Sequence, residues 1–177
     1  ERGIYKSTDG GEHWEKMKEG LPKEMGKMSI AVCRSNSEKV YALIESDSEK
    51  EEGGLYMSED AGKSWGQISN DNHLIQRAWY YIELFPDPMN ENTLYVLSAP
   101  ALRSIDGGKT WKKLGKDDGL PDGNYGRIGL AYATNDPRRV YAMVEATKNG
   151  FYKSEDGGFT LKLVNINAVN VNDRKVY

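Results

Sequence analysis

The sequence predicts an all-β fold in which short antiparallel strands form repeated four-stranded sheets. Three observations carry this prediction. An eight-residue phrase recurs four times at near-even spacing, apolar strand-like runs recur at fixed places relative to it, and no segment of useful length has helical periodicity. The copies are Ser7–Trp14, Ser58–Trp65, Ser104–Trp111 and Ser154–Leu161, with their serines 51, 46 and 50 residues apart. Spacing of this order belongs to solenoids, arrays or radially repeated sheets.

Each element of the unit can be justified in turn. An apolar strand comes first: Ser29 to Cys33, Tyr80 to Phe85 and Ile128 to Tyr132. A turn rich in Asn, Asp, Ser and Pro follows it, at Ser35-Asn36-Ser37, Asp87-Pro88-Met89-Asn90 and Asn135-Asp136-Pro137. The second strand shares a Tyr-centred core: Val40 to Glu45, Leu94 to Leu97 and Val140 to Glu145. The third strand leads into the repeated phrase, as Gly3 to Lys6 and Gly150 to Lys153 do, and the fourth leaves it, as Trp14 to Met17 and Trp111 to Leu114 do. The phrase is therefore the hairpin turn between third and fourth strands.

The second strands are apolar at consecutive positions, as in Tyr41-Ala42-Leu43-Ile44. A strand needs that pattern when both of its faces are covered, which face-to-face stacking of sheets imposes. Four strands per unit of this length, stacked radially, is the design of a β-propeller, and it also protects the sheet edges. Residues 1–19 read as the outer half of one blade, 20–70, 71–118 and 119–164 as full blades, and 165–177 as the first strand and a half of another. Joining the two partial blades would close a small ring of four, and the alternative, which two premature ends favour, is an arc of a larger ring. A longer repeat lies over the short one: Gly20-Leu21-Pro22 returns as Gly119-Leu120-Pro121, and Val40-Tyr41-Ala42 returns as Val140-Tyr141-Ala142.

The phrase resembles the Asp-box of sialidase-type (BNR) repeats, Ser-x-Asp-x-Gly-x-Thr-Trp. The matching positions are Ser7, Asp9, Gly11 and Trp14; Ser58, Asp60, Gly62 and Trp65; Ser104, Asp106, Gly108 and Trp111; and Ser154, Asp156 and Gly158. The aspartate can accept backbone N–H bonds across the turn, the glycine supplies a positive φ, and the aromatic packs between blades. Leu161 stands where the fourth tryptophan is expected, which loosens packing there without altering the turn.

The combination of Gly-Leu-Pro, Gly126-Arg127-Ile128-Gly129-Leu130-Ala131, Arg77-Ala78-Trp79-Tyr80-Tyr81 and Val-Tyr-Ala resembles sortilin-like propellers of secreted bacterial proteins, which are often labelled glycosyl hydrolases. That resemblance implies a secreted, periplasmic or cell-surface ring, non-catalytic, binding a protein, peptide or glycan at its top face or channel. It also implies further blades, from the same or another chain, to close the ring. Asp-boxes in such proteins lie away from the active site, so Asp9, Asp60, Asp106 and Asp156 are structural. The alternative is a glycoside hydrolase of sialidase or xyloglucanase type, or an arc of one. No arginine triad stands out, and Asp87, Asp118, Asp122 and Asp136 all read as turn formers. An assembly-factor propeller like that of photosystem II would call for a basic face, which the acidic balance does not favour.

The best ligand-facing candidates are Arg77, Trp79, Tyr80 and Tyr81, with Tyr125 and Arg127 at the related strand entrance. Guanidinium groups beside aromatic faces suit sugars, peptide termini or aromatic ligands. Packing of Trp79 and Tyr81 between blades is the competing role for those two residues. The 177 residues are 38% hydrophobic and 29% charged with net charge −3, a balance that gives no reason to expect a nucleic-acid partner. No apolar run approaches the roughly 20 residues of a membrane span. His13, His73 and the lone Cys33 form neither a metal site nor a catalytic triad, the acidic stretch Glu45 to Glu52 lacks regular calcium-ligand spacing, and no cofactor is expected.

Overall fold

A computed structural model describes residues 2–46, 50–98, 100–147 and 149–165. The expected strands of 165–177 lie outside the described residues beyond Asn165. Fourteen strands are present among the described residues: β1 (Tyr5–Lys6), β2 (Glu15–Lys16), β3 (Met25–Cys33), β4 (Asn36–Ser46), β5 (Gly54–Ser58), β6 (Gly66–Ser69), β7 (Glu83–Pro86), β8 (Leu94–Leu97), β9 (Ala101–Ser104), β10 (Lys112–Lys113), β11 (Tyr125–Ala133), β12 (Asp136–Ala146), β13 (Gly150–Ser154) and β14 (Lys162–Asn165). They form one two-stranded and three four-stranded antiparallel meanders: β1-β2, β3-β4-β5-β6, β7-β8-β9-β10 and β11-β12-β13-β14. We number these blades one to four.

Each blade interface holds its own core. Ile4 and Met17 of blade one meet Val40, Ala42, Ile44, Tyr56 and Trp65 of blade two. The opposite face of blade two, with Tyr41, Leu43 and Leu55, meets Leu84, Leu94, Val96 and Leu102 of blade three. Tyr95, Leu97 and Ala101 of blade three meet Ile128, Ala142, Val144 and Leu161 of blade four. Burial on both faces explains the continuous apolar runs of β4 and β8. In β12 the run does not imply the same burial. Val140, Ala142 and Val144 are buried, but Met143 is 39% exposed, with no blade among the described residues on that side.

The boxes are built alike. In the second, Ser58 donates to Asp60 at 2.7 Å and accepts from the Gly62 N–H at 2.8 Å. Asp60 accepts the Lys63 and Ser64 N–H groups, each at 2.9 Å, and the Ser64 hydroxyl at 2.6 Å. The indole N–H groups of Trp14, Trp65 and Trp111 close their turns on the carbonyls of Gly11, Gly62 and Gly108. Trp65 is buried, whereas Trp14 is 63% exposed, because packing here is on the preceding blade.

Two expected elements shift. The first hairpins turn at Arg34-Ser35 and Thr134-Asn135, since Cys33 pairs with Asn36 and Ala133 with Asp136. The inner strand of blade three starts at Glu83 rather than Tyr80, because residues 75–80 form hydrogen-bonded turns, with Ala78 donating to Ile75 and Tyr81 to Arg77. The Gly-Leu-Pro pairs act as clips between blades. Gly20 and Gly119 have φ of 75° and 86°, and an added Cβ would run into the carbonyl oxygens of Trp65 and Leu161. The same two residues donate their N–H groups to Glu19 and Asp118.

Candidate functional site

Strand register places the boxes and the β3–β4 type turns at one end of every sheet. The strand-two to strand-three turns and the linkers into each inner strand lie at the other, as Met25 pairing with Ser46 and Ile44 pairing with Gly54 require. All six ligand candidates are therefore at the end opposite the boxes.

The box aspartates are saturated by their turns. Asp9 is lowered to about 2 by the His13 N–H and the Ser7 hydroxyl, and Asp106 to about 2 by the Thr110 hydroxyl and N–H. Both carboxylates are occupied by donors of their own turns. In the first box the His13 ring takes the place of the hydroxyl, with Nδ1 2.6 Å from Asp9.

The inner strands β3 and β11 carry the same device 100 residues apart. Each has a register shift, between Met25 and Met28 in one and Tyr125 and Ile128 in the other. The displaced N–H of Lys27 is accepted by Glu45 at 3.2 Å, and that of Arg127 by Glu145 at 2.9 Å. A bulge re-aims the side chains at its kink, and here it turns two cations toward blade three between them. Lys27 Nζ donates to the Tyr80 carbonyl at 3.2 Å, and the Arg127 guanidinium stands 4.8 Å from the Tyr80 ring centroid. Glu83, Ile82 and Tyr81 complete a cleft of about 320 Å³. Burial pushes the Glu83 carboxyl above its ordinary range, while Arg127 pulls the other way.

The six candidates separate. Tyr80, Tyr81 and Arg127 line this cleft. Tyr81 is also a blade joint: it is buried, and its hydroxyl donates to the Gly126 carbonyl at 3.0 Å. Arg77 and Tyr125 line a separate cleft of about 330 Å³ with His73 and Lys113, and the Tyr125 hydroxyl donates to Pro121. Trp79 is 76% exposed, 5.9 Å from the Tyr80 ring, so it does not wedge between blades. Lys27, Glu83 and the two bulge carboxylates were not among the sequence candidates. For Lys27 and the two bulge carboxylates the available signal was the 100-residue recurrence of Lys27 with Glu45 as Arg127 with Glu145; Glu83 had none of this kind. Among the described residues one trio could offer metal ligands, Asp9, Glu12 and His13, all exposed and at the box end. No described helix is long and apolar enough to cross a membrane.

Comparison with known proteins agrees with this architecture. The BNR/Asp-box repeat family matches residues 102–113. No curated protein sequence matches the chain. A solved GH74 xyloglucanase from Xanthomonas campestris superposes with TM-score 0.64 at 16% identity, over 94% of this chain and 27% of that one. A GH74 enzyme from Niastella koreensis gives 0.56 at 18% identity, over 92% and 26%. An ancestral GH74 enzyme gives 0.56 at 19% identity, over 92% and 21%. This chain spans about a quarter of the length of those proteins, and at such identity the likeness is one of fold. With its box phrase matched by the BNR/Asp-box repeat over residues 102–113 and recurring in three further copies, the described chain is folded as stacked blades of a β-propeller.

Proposed function

We propose that the chain forms a non-catalytic binding surface of a propeller that works outside the cytoplasm. It takes a carboxylate-bearing segment of a protein, peptide or glycan in the cleft around Tyr80. The observation that carries this reading is the convergence of Lys27 and Arg127, from two equivalent bulges, on one aromatic residue. An arginine fork and an ammonium suit a carboxylate, and the Tyr80 ring with exposed Trp79 beside it suits an apolar or sugar face. The cleft lining holds a single carboxylate, Glu83. Glycoside hydrolysis generally needs a facing pair, about 6.5–9.5 Å apart for inversion. The extracytoplasmic setting rests on the sortilin-like resemblance.

Calorimetric titration of a peptide with a free C-terminus, its C-terminal amide, a uronic-acid oligosaccharide and a neutral xyloglucan oligosaccharide tests the proposal. Binding is expected for the carboxylates, with at least about a tenfold loss in Arg127→Ala combined with Lys27→Ala. Equal binding of the peptide and its amide would remove the carboxylate assignment. Release of reducing ends from xyloglucan would put hydrolysis in place of binding.

A further inference from the structure

Arg77 and Tyr125 have no part in the Tyr80 cleft. With His73, Gln76, Lys113 and Asn124 they line a second cleft of about 330 Å³. Three described segments bound it: the turns of residues 72–77, strand β10 and the linker into β11. Its volume is at the lower end of the roughly 300–1,000 Å³ found for small-molecule sites.

The walls of this cleft are held in place while its cations stay unspent. The Arg77 carbonyl accepts the N–H groups of Tyr80 and Tyr81 at 2.8 and 3.0 Å, yet no hydrogen bond or ion pair holds its exposed guanidinium. Along β10 the two lysines part: Lys112 is tied to Asp118 at 2.7 Å, and Lys113 lines the cleft without an ion pair. Asp71 accepts the His73 backbone N–H at 2.9 Å and lies 2.7 Å from its Nδ1. That contact orients the ring, and a protonated ring has its Nε2–H left to donate to an anion. The Tyr125 hydroxyl donates to the Pro121 carbonyl at 2.8 Å, which fixes that ring. No carboxylate lines the cleft.

Guanidinium, ammonium and imidazole come here from three separate segments. A carboxylate has two oxygens and is satisfied by one arginine fork, whereas a phosphate or sulfate ester presents three oxygens in three directions. The Gln76 and Asn124 amides can each donate and accept, as sugar hydroxyls require, and the Tyr125 ring offers a flat apolar face. No Leu, Ile, Val or Met side chain lines the cleft, so an apolar peptide anchor has no seat in it.

We propose that this cleft is a second binding site, separate from the Tyr80 cleft, for a monosaccharide unit carrying a phosphate or sulfate ester. Arg77, Lys113 and His73 hold the ester oxygens, and Gln76 and Asn124 hold the ring hydroxyls. The site stands whether or not the Tyr80 cleft takes a carboxylate.

Calorimetric titration with glucose 6-phosphate, glucose 6-sulfate, glucose, glucuronate, inorganic phosphate and a phosphoserine peptide tests this. At least one ester is expected to bind, the tighter of the two naming the source, and the other four ligands to bind at least about tenfold more weakly. Arg77→Ala combined with Lys113→Ala is expected to weaken the ester by at least about tenfold, with an unchanged far-UV circular dichroism spectrum because both side chains are exposed. Failure of both esters to bind overturns the proposal. So does equal binding of glucuronate, inorganic phosphate or the phosphopeptide, which would make the site one for carboxylates, bare anions or modified protein. Ester binding lost in Arg127→Ala but kept in the Arg77 and Lys113 double variant would move the ligand to the Tyr80 cleft and overturn it too.

Discussion

At the scale of single residues, the box turns are hydrogen-bond machines whose parts can be removed one at a time. Ala61 is the single described non-glycine residue at positive φ, 59°, where the other three boxes have Gly10, Gly107 and Gly157. A side chain in that region costs roughly 1–2 kcal/mol, against which glycine loses somewhat more chain entropy on folding. Ala61→Gly is therefore expected to stabilise by about 0.5–1 kcal/mol, read from a urea midpoint with unchanged slope. The box carboxylates set a pH dependence. Their folded-state pKa values lie below the ordinary aspartate value, about 2 for Asp9 and Asp106. A depressed carboxylate contributes stability fully above the unfolded value and loses it as pH falls toward the folded one. Acid unfolding is thus expected to steepen below about pH 4, and Asp106→Asn to weaken that dependence while costing about 1 kcal/mol at neutral pH. A variant with the wild-type acid profile would show that the box carboxylate is not the titrating group. The boxes were legible in the sequence because their chemistry is local, every bond spanning no more than four residues.

At the scale of elements, what could be read depended on whether the partner was near in sequence. Strand order and the box hairpins followed from turn residues and apolar runs. The bulges of β3 and β11 did not, because each depends on a carboxylate 18 residues away across the sheet. Lys27 stood in Met25-Gly26-Lys27-Met28 without an aromatic neighbour to mark it, and only the folded chain brings it to Tyr80. The start of β7 was misplaced for a related reason. Tyr80 and Tyr81 have strand-like side chains, but tertiary packing of Leu74 and Ala78 in the core holds that stretch in turns. The fourth box departs as its sequence implied. Leu161 lines a narrow apolar void with Leu114, Leu120 and Ile128, where blade two has the Trp65 indole. Leu161→Trp is expected to fill it, donate to the Gly158 carbonyl as the other tryptophans do to theirs, and raise stability by about 1 kcal/mol. A drop in melting temperature would mean that the void is too small and the larger ring overpacks it.

At the scale of the whole molecule, stability is distributed, among the described residues, over three blade joints in series. The joints differ in kind. Gly-Leu-Pro clips fasten blades one to two and three to four, while the turns of residues 75–80 occupy the middle joint. The third joint also buries charge: Asp118, 5% exposed, lies 2.7 Å from Lys112 and 3.7 Å from Arg103, whose side chain is 9% exposed and stacks on Phe159. Removing the carboxylate would strand the Arg103 cation, so Asp118→Ala is expected to cost about 3–5 kcal/mol, and Asp118→Ala with Arg103→Met much less than the sum of the two singles. Where each unit touches only its neighbours, opening is expected to follow how extensively each sheet is paired and covered. Blade one has two strands of two residues each, and its tryptophan is exposed, whereas Leu94–Leu97 of β8 is buried on both faces. Native-state hydrogen exchange is therefore expected to rank amides by blade, with Met17 exchanging early and Val96 last. Met17 is a fair reporter because its N–H bonds to Ile4 across blade one, so its protection measures that sheet and not simple exposure. Equal protection at both would mean that the three joints melt as one cooperative unit, with the middle joint no weaker for lacking a clip.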